Sequence, residues 1–536
     1  MSNFATAMNM THTWNGAVSY AYADPSGQCN GRISLFFKAI RQLNIPSLYE
    51  YLREAANEDL VDTFLLTFNI RDCRGGKGER NLGRKALTWL FLNHPDEFMK
   101  VADLIATYGR YDDLMYLWPK VLNLTDYKNI DNINKNYCCN ITSPEQLFHL
   151  ETLQWSLVDI MGKQLLLDKK LMMQGKPVSL CAKWAPTEKD KLDHEFGVVK
   201  MLCGKMKISK KIYRTVFTSP LRKYIDIVER YMCNKEWSEI DFNKVPSCAM
   251  LRLKKAFEQN TPDTFLDWKL KLNKGEAKVN AKQLFPHEIV VNLKNGSDTV
   301  LEAQWKVLEE EAKKLGTLSD TLCVVDTSGS MTNWGFYDKK IKTPNFTLFD
   351  VATALGILIS NTVQGSFHNH VITFHTDPSF KVLEKGTLYQ RFQQIRSIPW
   401  GGSTDIQATF ELILNKAKNA KLSQEDMPKR IIIISDMQFN IAEGYRNNKT
   451  NFERIDKKYQ ESGYTRPILV FWNVNGNTND FPVTVDKNNT VMVSGYSTSI
   501  IKAILNEKSF TSYNIMRAAL DDERYAPVKQ QLANST

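Results

Sequence analysis

The period of the hydrophobic pattern changes near residue 316, and this change constrains the fold more than any other feature of the chain. From about residue 31 to 314, apolar residues recur three and four positions apart, as in ISLFFKAIRQL and DLVDTFLLTFNI, a spacing typical of amphipathic helices. After residue 317, the short apolar runs TLCVVD, HVITFH, RIIIISD and PILVFWNV alternate with amphipathic stretches. Such alternation is typical of βαβ units around a buried parallel sheet. We therefore predict an all-α half followed by an α/β half with a mainly parallel sheet.

The domain boundaries follow from the same pattern. A chain of 536 residues is too long for one ordinary hydrophobic core and suggests about two to four domains. We predict an N-terminal extension over 1–30, a helical domain over 31–316, an α/β domain over 317–525 and a frayed tail over 526–536. Short connections between helices of 10–15 residues indicate a stack of helical repeats, although the sequence shows no fixed period.

The composition is that of a globular protein, with 43% hydrophobic and 24% charged residues. No apolar run approaches the roughly 18 residues that a membrane helix needs, and the first 20 residues lack the pattern of a signal peptide. The nine cysteines form no C-x-x-C pair, which favours reduced thiols over a disulfide framework or a zinc site. We expect a cytoplasmic protein without a membrane partner.

The net charge of +10 is concentrated in one stretch of the predicted helical half. Residues 161–230 hold 16 Lys and Arg against seven Asp and Glu, whereas residues 301–536 hold 27 against 25. A basic surface of this kind attracts nucleic acid. The candidate phosphate-binding residues are Lys169, Lys170, Lys205, Lys207, Lys210, Lys211, Arg214, Arg222 and Lys223. Trp184, Tyr213, Phe217 and Tyr224 lie among them as candidate base-stacking rings. The alternative is that the lysines cover solvated helix faces and the aromatic residues belong to the core.

Oxygen-bearing side chains follow the predicted strands of the second half. Asp326, Ser328 and Ser330 end the first strand, Thr404 lies in a glycine-rich loop before a helix, and Asp436 ends the strand RIIIIS. Ligands of an open α/β sheet bind at the carboxyl ends of its strands, and carboxylate and hydroxyl oxygens suit Mg²⁺ or another divalent cation such as Mn²⁺. The neighbouring Asp405 fits a helix N-cap better than a direct ligand. Alternatively, Asp and Ser in such positions are turn and capping residues.

This set of five donors resembles the metal-ion-dependent adhesion site (MIDAS) of von Willebrand factor A (vWA) domains, which opens with D-x-S-x-S. The resemblance implies a Rossmann-like vWA fold, in which the metal binds a carboxylate of a partner protein. The stretch 331–346, between the motif and the first helix, is longer than a βα connection needs and carries aromatic and basic residues. It is a candidate binding face, lid or packing segment.

The string R-D-C-R-G-G-K-G-E-R at residues 71–80 forms a glycine-rich cationic loop that opens a helix. Arg74 and Lys77 are its candidate phosphate contacts, although the string is not a Walker A loop and also fits a solvated interhelical turn. Together with Y-G-R-Y-D-D-L at 108–114 and A-K-W-A-P at 182–186, it resembles the TROVE module and a related uncharacterised family. In Ro-type proteins this module is a ring of HEAT-like helical repeats joined to a vWA domain, and it holds small non-coding or structured RNA.

Three functional hypotheses result. The first is a Ro-like RNA-binding ribonucleoprotein component whose vWA domain binds Mg²⁺ and a partner. The second is a protein-interaction scaffold that captures a partner carboxylate through its metal, and the third is a self-assembling structural component, such as that of a virus, without RNA. The sequence shows no nucleophile–base pair and no nucleotide loop, so we do not expect an enzyme.

Overall fold

The computed structural model describes most of the chain, and the protein falls into two compact units built from discontinuous segments. The described residues are 9–13, 15–24, 26–122, 130, 134–135, 139–190, 193–194, 197–293, 296–316, 318–332, 334–335, 346–374, 377–398, 405–439, 451–478, 480–484, 487, 489–505 and 511–533. The first unit, here the α/β unit, comprises Met1–Asn44, Phe242–Glu258 and Phe265–Asp521. The second, the helical unit, comprises Ile45–Asp241, Gln259–Thr264 and Asp522–Thr536.

A six-stranded sheet forms the centre of the α/β unit. The strands of the chain, in order, are β1 (Met10–His12), β2 (Val18–Tyr20), β3 (Leu318–Ser319), β4 (Thr321–Asp326), β5 (Trp334–Gly335), β6 (Phe346–Thr347), β7 (Val363–Gln364), β8 (His370–Phe374), β9 (Ser379–Val382), β10 (Arg430–Ser435), β11 (Ile468–Asn473) and β12 (Thr490–Ser494). The large sheet has the order β12-β11-β10-β4-β8-β9. All its neighbours pair in parallel except β8 and β9. The buried strands β4 and β10 are continuous apolar runs because helices cover both faces of such a sheet.

The smaller strands of the α/β unit form three two-stranded pairs, β1–β2, β3–β7 and β5–β6. Its helices are α1 (Asn30–Lys38), α14 (Ser247–Asn260), α15 (Pro262–Lys274), α16 (Pro286–Asn292), α17 (Thr299–Lys314), α18 (Leu348–Thr362), α19 (Leu388–Arg396), α20 (Ile406–Ala420), α21 (Asn451–Glu461), α22 (Ser499–Leu505) and α23 (Ser512–Leu520). Helix α18 is buried almost all round. It begins with a capping box in which Thr347 and Asp350 satisfy each other's backbone N–H groups.

The helical unit consists of short helices and one long helix. Its members are α2 (Ile45–Glu58), α3 (Leu60–Arg71), α4 (Arg80–Asn93), α5 (Pro95–Val101), α6 (Ile105–Tyr108), α7 (Tyr111–Leu122), α8 (Pro144–Met173), α9 (Cys181–Trp184), α10 (Val198–Met206), α11 (Lys210–Ile212), α12 (Ser219–Tyr224), α13 (Val228–Asn234) and α24 (Ala526–Ala533). A π-helical segment, Tyr213–Thr218, joins α11 to α12. The long helix α8 begins at Pro144, and the Ser143 side chain caps it by accepting a hydrogen bond from Gln146 N.

The predicted combination of a helical part with an α/β part and mostly parallel strands is confirmed. The compact units nevertheless divide the chain differently from the boundaries predicted at residues 30, 316 and 525. The N-terminal segment joins the α/β unit, where Tyr20 N donates to Phe481 O at 3.0 Å and Ser494 Oγ donates to Phe36 O at 3.2 Å. Residues 242–316 lie mostly in the α/β unit as well. Among the described residues, no helix is both long and apolar enough to cross a membrane.

The C-terminal segment also differs from its prediction, because residues expected to form a frayed tail fold into α24. This helix packs against α3 and α5 of the helical unit. Tyr525 and Val528 are 1% and 0% exposed. Burial of Tyr525, directly before the helix, and of Val528 within it holds α24 against the helical unit.

Candidate metal centre and basic surface

The predicted metal ligands Asp326 and Asp436 lie at the carboxyl ends of the two central strands. Asp326 is the last residue of β4, and Asp436 follows directly after β10. The two strands are parallel neighbours, with Val325 opposite Ile434. From β4 the chain continues outward to β8 and β9 and then returns to β10 on the other side. The two aspartates therefore meet where the strand order reverses, the usual ligand position in an open α/β sheet.

Local hydrogen bonds hold the first aspartate in position. Asp326 is 0% exposed, and its Oδ1 accepts from Ser328 N at 2.9 Å. Its Oδ2 accepts from Ser435 Oγ, the last residue of β10, at 2.5 Å. Ser435 also accepts from Met437 N at 3.0 Å, so this hydroxyl ties the turn after β10 to the end of β4.

The two predicted hydroxyl ligands lie beside this carboxylate. Ser328 Oγ and Ser330 Oγ are 3.1 Å apart. Ser328 is buried and Ser330 half-buried, and Ser330 also hydrogen-bonds to the Asp436 carboxyl group. The structure thus brings together four of the five predicted donors. The fifth, Thr404, lies outside the described residues, and Asp405 caps α20 as predicted, accepting from Ala408 N at 2.9 Å.

Two buried carboxylates this close to each other disfavour their own ionisation. Burial and the negative charge of Asp436 raise the pKa of Asp326 to about 7. Burial likewise raises the pKa of Asp436, which is 2% exposed. Among the described residues there is no group of three or more His, Cys, Asp and Glu side chains that would hold a metal. The donor set here differs from such groups because it combines two carboxylates with hydroxyls, a chemistry that fits Mg²⁺ with retained water.

Sequence reasoning missed two features next to these carboxylates. The N-terminal segment contacts the loop after Asp436, where Thr13 Oγ1 donates to Phe439 O at 2.6 Å and Asn15 Nδ2 donates to Gln438 O at 2.7 Å. Asp480 is a third buried carboxyl group whose pKa is raised by burial and, to a smaller extent, by the charge of Asp436. More than 400 positions separate the first two pairs, and no local pattern in the sequence marks them.

In the helical unit, most of the predicted phosphate-binding residues lie at the surface. The exposed ones, here called the basic surface, are Lys170, Lys205, Lys207, Lys210, Lys211, Arg214 and Lys223. Lys169 is half-buried. These residues lie on α8, on α10 with Lys207 directly after its last residue, and on the helical stretch 210–224. Helix α8 packs against both of the other elements. Lys210 approaches Glu188 at 3.9 Å, whereas the other side chains of the basic surface have no ion-pair partner among the described residues.

Several other residues that were predicted to contact phosphate or bases have structural roles instead. Arg222 is half-buried and donates to Ala182 O and Ala185 O, both at 2.8 Å, so it binds the carbonyl end of α9. Tyr213 and Phe217 are 2% and 7% exposed and belong to the core rather than to a stacking surface. Tyr224 is 41% exposed.

Trp184 is half-buried, and its ring lies against the Arg110 guanidinium at 4.0 Å.

The predicted phosphate contacts of the glycine-rich loop separate into one exposed and one buried residue. Arg74 is exposed and donates from Nη1 to Thr107 O at 3.1 Å.

Lys77 is 2% exposed, and burial lowers its pKa to about 7 although the nearby Glu79 carboxylate acts to raise it. Lys77 is therefore not available to an external phosphate in this structure. The backbone of the loop folds back on α3, where Lys77 N donates to Asn69 O at 2.9 Å.

Comparison with known proteins assigns the chain to a family. Residues 320–535 match a domain of unknown function, DUF7788, and residues 144–318 match another domain of unknown function, DUF2828. The chain is 30% identical to Uncharacterized protein L728 of Acanthamoeba polyphaga mimivirus, over 97% of this chain and 89% of that protein. At this identity and coverage, the chain belongs to the same protein family as the mimivirus protein L728.

Proposed function

We propose that this protein is a Ro-like, non-enzymatic RNA-binding component of a ribonucleoprotein, with the helical unit as a HEAT-like scaffold for RNA. The observation that carries the proposal is the basic surface, where six of seven exposed cationic side chains have no ion-pair partner among the described residues. Unpaired lysines and arginines with released counterions supply most of the affinity in sequence-independent RNA binding.

The α/β unit has a separate part in this proposal. It is a vWA-like domain in which Asp326, Ser328, Ser330, Thr404 and Asp436 would hold Mg²⁺ or Mn²⁺. The buried carboxylates at adjacent strand ends support this assignment, since a divalent cation would offset their mutual repulsion. Oxygen atoms of a partner protein would complete the coordination of the metal.

A salt titration tests RNA binding. We expect the logarithm of the affinity for single-stranded RNA to fall linearly with the logarithm of the salt concentration. Changing Lys205, Lys211 and Arg214 to Gln should reduce that slope by about 2, because each lost phosphate contact contributes about 0.7. The control exchanges Lys381, Lys385 and Lys418, three exposed lysines of the α/β unit, and should leave the slope unchanged. An affinity that does not change with the salt concentration would contradict the proposal, and so would an equal reduction of the slope in both variants.

The scaffold function is a second candidate, because large apolar side chains are exposed among the basic residues. Leu166, Met173 and Ile212 are 51%, 76% and 42% exposed, and such side chains suit a protein partner better than a phosphate backbone. Asp326→Ala separates the two functions. The scaffold function is favoured by two results together. The unchanged protein forms a magnesium-dependent protein complex that this variant does not form, and the unchanged protein shows no detectable RNA binding.

A further inference from the structure

Four arginines and two aspartates form a charge cluster in the helical unit, where the end of α3, the first turns of α4 and the start of α7 meet. Asp113 is 0% exposed and binds Arg71 at 2.7 Å and Arg84 at 2.5 Å. Asp112 binds Arg84 at 2.8 Å and Arg110 at 2.6 Å. We call Arg71, Arg80, Arg84, Arg110, Asp112 and Asp113 the arginine cluster.

Among the described residues, no carboxylate lies within ion-pair distance of the fourth arginine, Arg80, and the two aspartates of the cluster pair with the other three arginines. Arg80 is the first residue of α4 and is exposed, and its side chain makes neither an ion pair nor a hydrogen bond with the described part of the chain. Burial of part of its side chain lowers the pKa of Arg80, and the neighbouring charges of Arg110 and Arg84 add to this effect, whereas the Asp112 carboxylate and Tyr116 act against it. Arg80 and Arg84 lie four residues apart on α4, so their side chains are neighbours on one face of the helix.

The cluster therefore carries two positive charges in excess, because four guanidinium groups face two carboxylates. The neighbouring buried charges are balanced one to one. Lys77 is accompanied by Glu79, and Asp72 is bound by Arg524. An uncompensated charge is costly in a partly buried setting, so the excess indicates a dianionic ligand.

Aromatic rings hold two of these guanidinium groups, those of Arg84 and Arg110, in position. Arg110 lies over the ring of Trp184 at 4.0 Å, and Arg84 lies over the ring of Tyr116 at 3.6 Å. Gly109 leaves no room for a side chain, since an added Cβ would lie 2.2 Å from Asp113 Oδ2. A guanidinium group held in this way needs little reordering when it binds an anion.

We propose that the arginine cluster binds a phosphate monoester, supplied either by the 5′-phosphate end of an RNA strand or by a free nucleoside monophosphate. A phosphate monoester carries about −1.5 to −2 charges at pH 7, which matches the excess of two, whereas a carboxylate or a backbone phosphodiester carries one. The planar donors of arginine also match phosphate oxygens in pairs. If the ligand is the 5′ end of an RNA strand, this inference rests on the proposed function. If the ligand is a free nucleoside monophosphate, it does not.

The test compares a single-stranded oligoribonucleotide carrying a 5′-phosphate with the same strand carrying a 5′-hydroxyl, and measures adenosine 5′-monophosphate binding by calorimetry. With the full-length protein we expect the phosphorylated strand to bind about tenfold more tightly, as one charge-assisted contact provides. Arg80→Gln, which breaks no ion pair, should remove this preference, and Arg80→Lys should restore part of it. Lys211→Gln, in the basic surface, should weaken both strands equally.

The outcomes separate the two sources of phosphate and the two proposals. A 5′-phosphate preference that Arg80→Gln removes identifies an RNA end as the ligand. Nucleotide binding that Arg80→Gln removes, without any RNA binding, identifies a free nucleotide and contradicts the proposed RNA function while the phosphate site stands. If neither the 5′-phosphate nor the nucleotide is recognised, or if Arg80→Gln leaves their recognition intact, the inference is wrong.

Discussion

At the scale of single residues, Asp326 is a carboxylate that the folded chain prefers to keep protonated when no cation accompanies it. Burial and the charge of Asp436 raise its pKa from 3.8 to about 7. The folded state thus binds this proton more tightly than the unfolded state. The resulting stabilisation is fully present below about pH 4 and is lost as the pH rises through 7.

Asp326→Asn should remove this pH dependence. In urea denaturation with a chelator present, we expect the free energy of unfolding of the unchanged protein to fall by a few kcal/mol between pH 4.5 and 8 relative to that of the variant. Magnesium at pH 8 should raise the melting temperature of the unchanged protein and leave that of Asp326→Asn unaltered. Glu425→Gln, at an exposed acidic residue of the same unit, is the control. An equal magnesium effect in both proteins would exclude Asp326 as a ligand.

His287 has the opposite pH dependence. It is 1% exposed, its ring packs against Phe346 at 4.6 Å and Tyr496 at 5.2 Å, and neither ring nitrogen has a hydrogen-bond partner among the described residues. Burial and the positive charge of Arg41 hold the pKa of His287 well below 6.5. The unfolded chain therefore takes up a proton that the folded chain excludes, and stability is lost as the pH falls below 6.5.

His287→Phe keeps a buried ring and removes the titration. We expect the stability of this variant to increase relative to that of the unchanged protein as the pH falls from 7 to 5, measured by denaturant unfolding at each pH. If the difference in stability between the two proteins is the same at every pH, the buried neutral histidine does not contribute to acid sensitivity.

At the scale of elements, the turn between α3 and α4 depends on a close backbone approach. A Cβ atom on Gly76 would lie 2.1 Å from Asn69 O, and this oxygen belongs to the backbone of α3 and cannot swing aside. Glycine is thus required here by contact rather than by a left-handed conformation, since the positive φ of the loop lies at Gly78.

Gly76→Ala should destabilise the protein by about 1–3 kcal/mol, measured by denaturant unfolding followed through a probe in the helical unit. The matched control is Gly204→Ala within α10, where an added Cβ has no atom within 4 Å. There we expect a gain of about 0.5–1 kcal/mol, because alanine favours the helix. A neutral Gly76→Ala variant would show that the loop can move away from α3.

The sequence predicted those elements whose pattern is local. The apolar runs that become β4 and β10 are long enough to identify buried parallel strands, and the donors that follow them could be located by position alone. The arginine cluster was not predicted as a unit, because Arg71 and Arg84 come from α3 and α4, and only tertiary contacts bring them to Asp113 at the start of α7. Burial of Lys77 was not predicted for the same reason. A glycine-rich basic string is typical of a solvated loop, and the sequence does not show that Lys77 N donates to Asn69 O.

At the scale of the whole molecule, the helical unit is completed by residues from the far end of the chain. Asp72 is 0% exposed, and Arg524 and the hydroxyl of Tyr525 donate to it. The ring of Tyr525 stacks on that of Tyr108 at 5.4 Å. The two matched family regions meet between residues 318 and 320. Neither region therefore contains all segments of the helical unit or of the α/β unit.

A chain that ends at Asp521 should have a loosened helical unit. Removal of Arg524 and Tyr525 leaves the Asp72 charge buried without its partner, which costs about 3–5 kcal/mol, and exposes the faces of α3 and α5. Hydrogen–deuterium exchange should increase in these two helices, and a synthetic peptide of residues 522–533 should restore protection. Gln530→Ala, at an exposed position of α24, should leave exchange unchanged. Full protection in the shortened chain would show that α24 is dispensable.

The position of α24 in the chain, after the segments of the α/β unit, also delays completion of the helical unit during biosynthesis. Roughly 280 residues separate the main segment of the helical unit from its last segment, and at about 5–20 residues per second they take about 15–55 s to translate. Throughout that interval the ribosome carries a helical unit whose Asp72 has no arginine and whose α3 and α5 lack their covering helix. A nascent chain that has not yet reached residue 522 therefore exposes the surface of α3 and α5 that α24 covers in the folded protein, and such exposed surface favours aggregation.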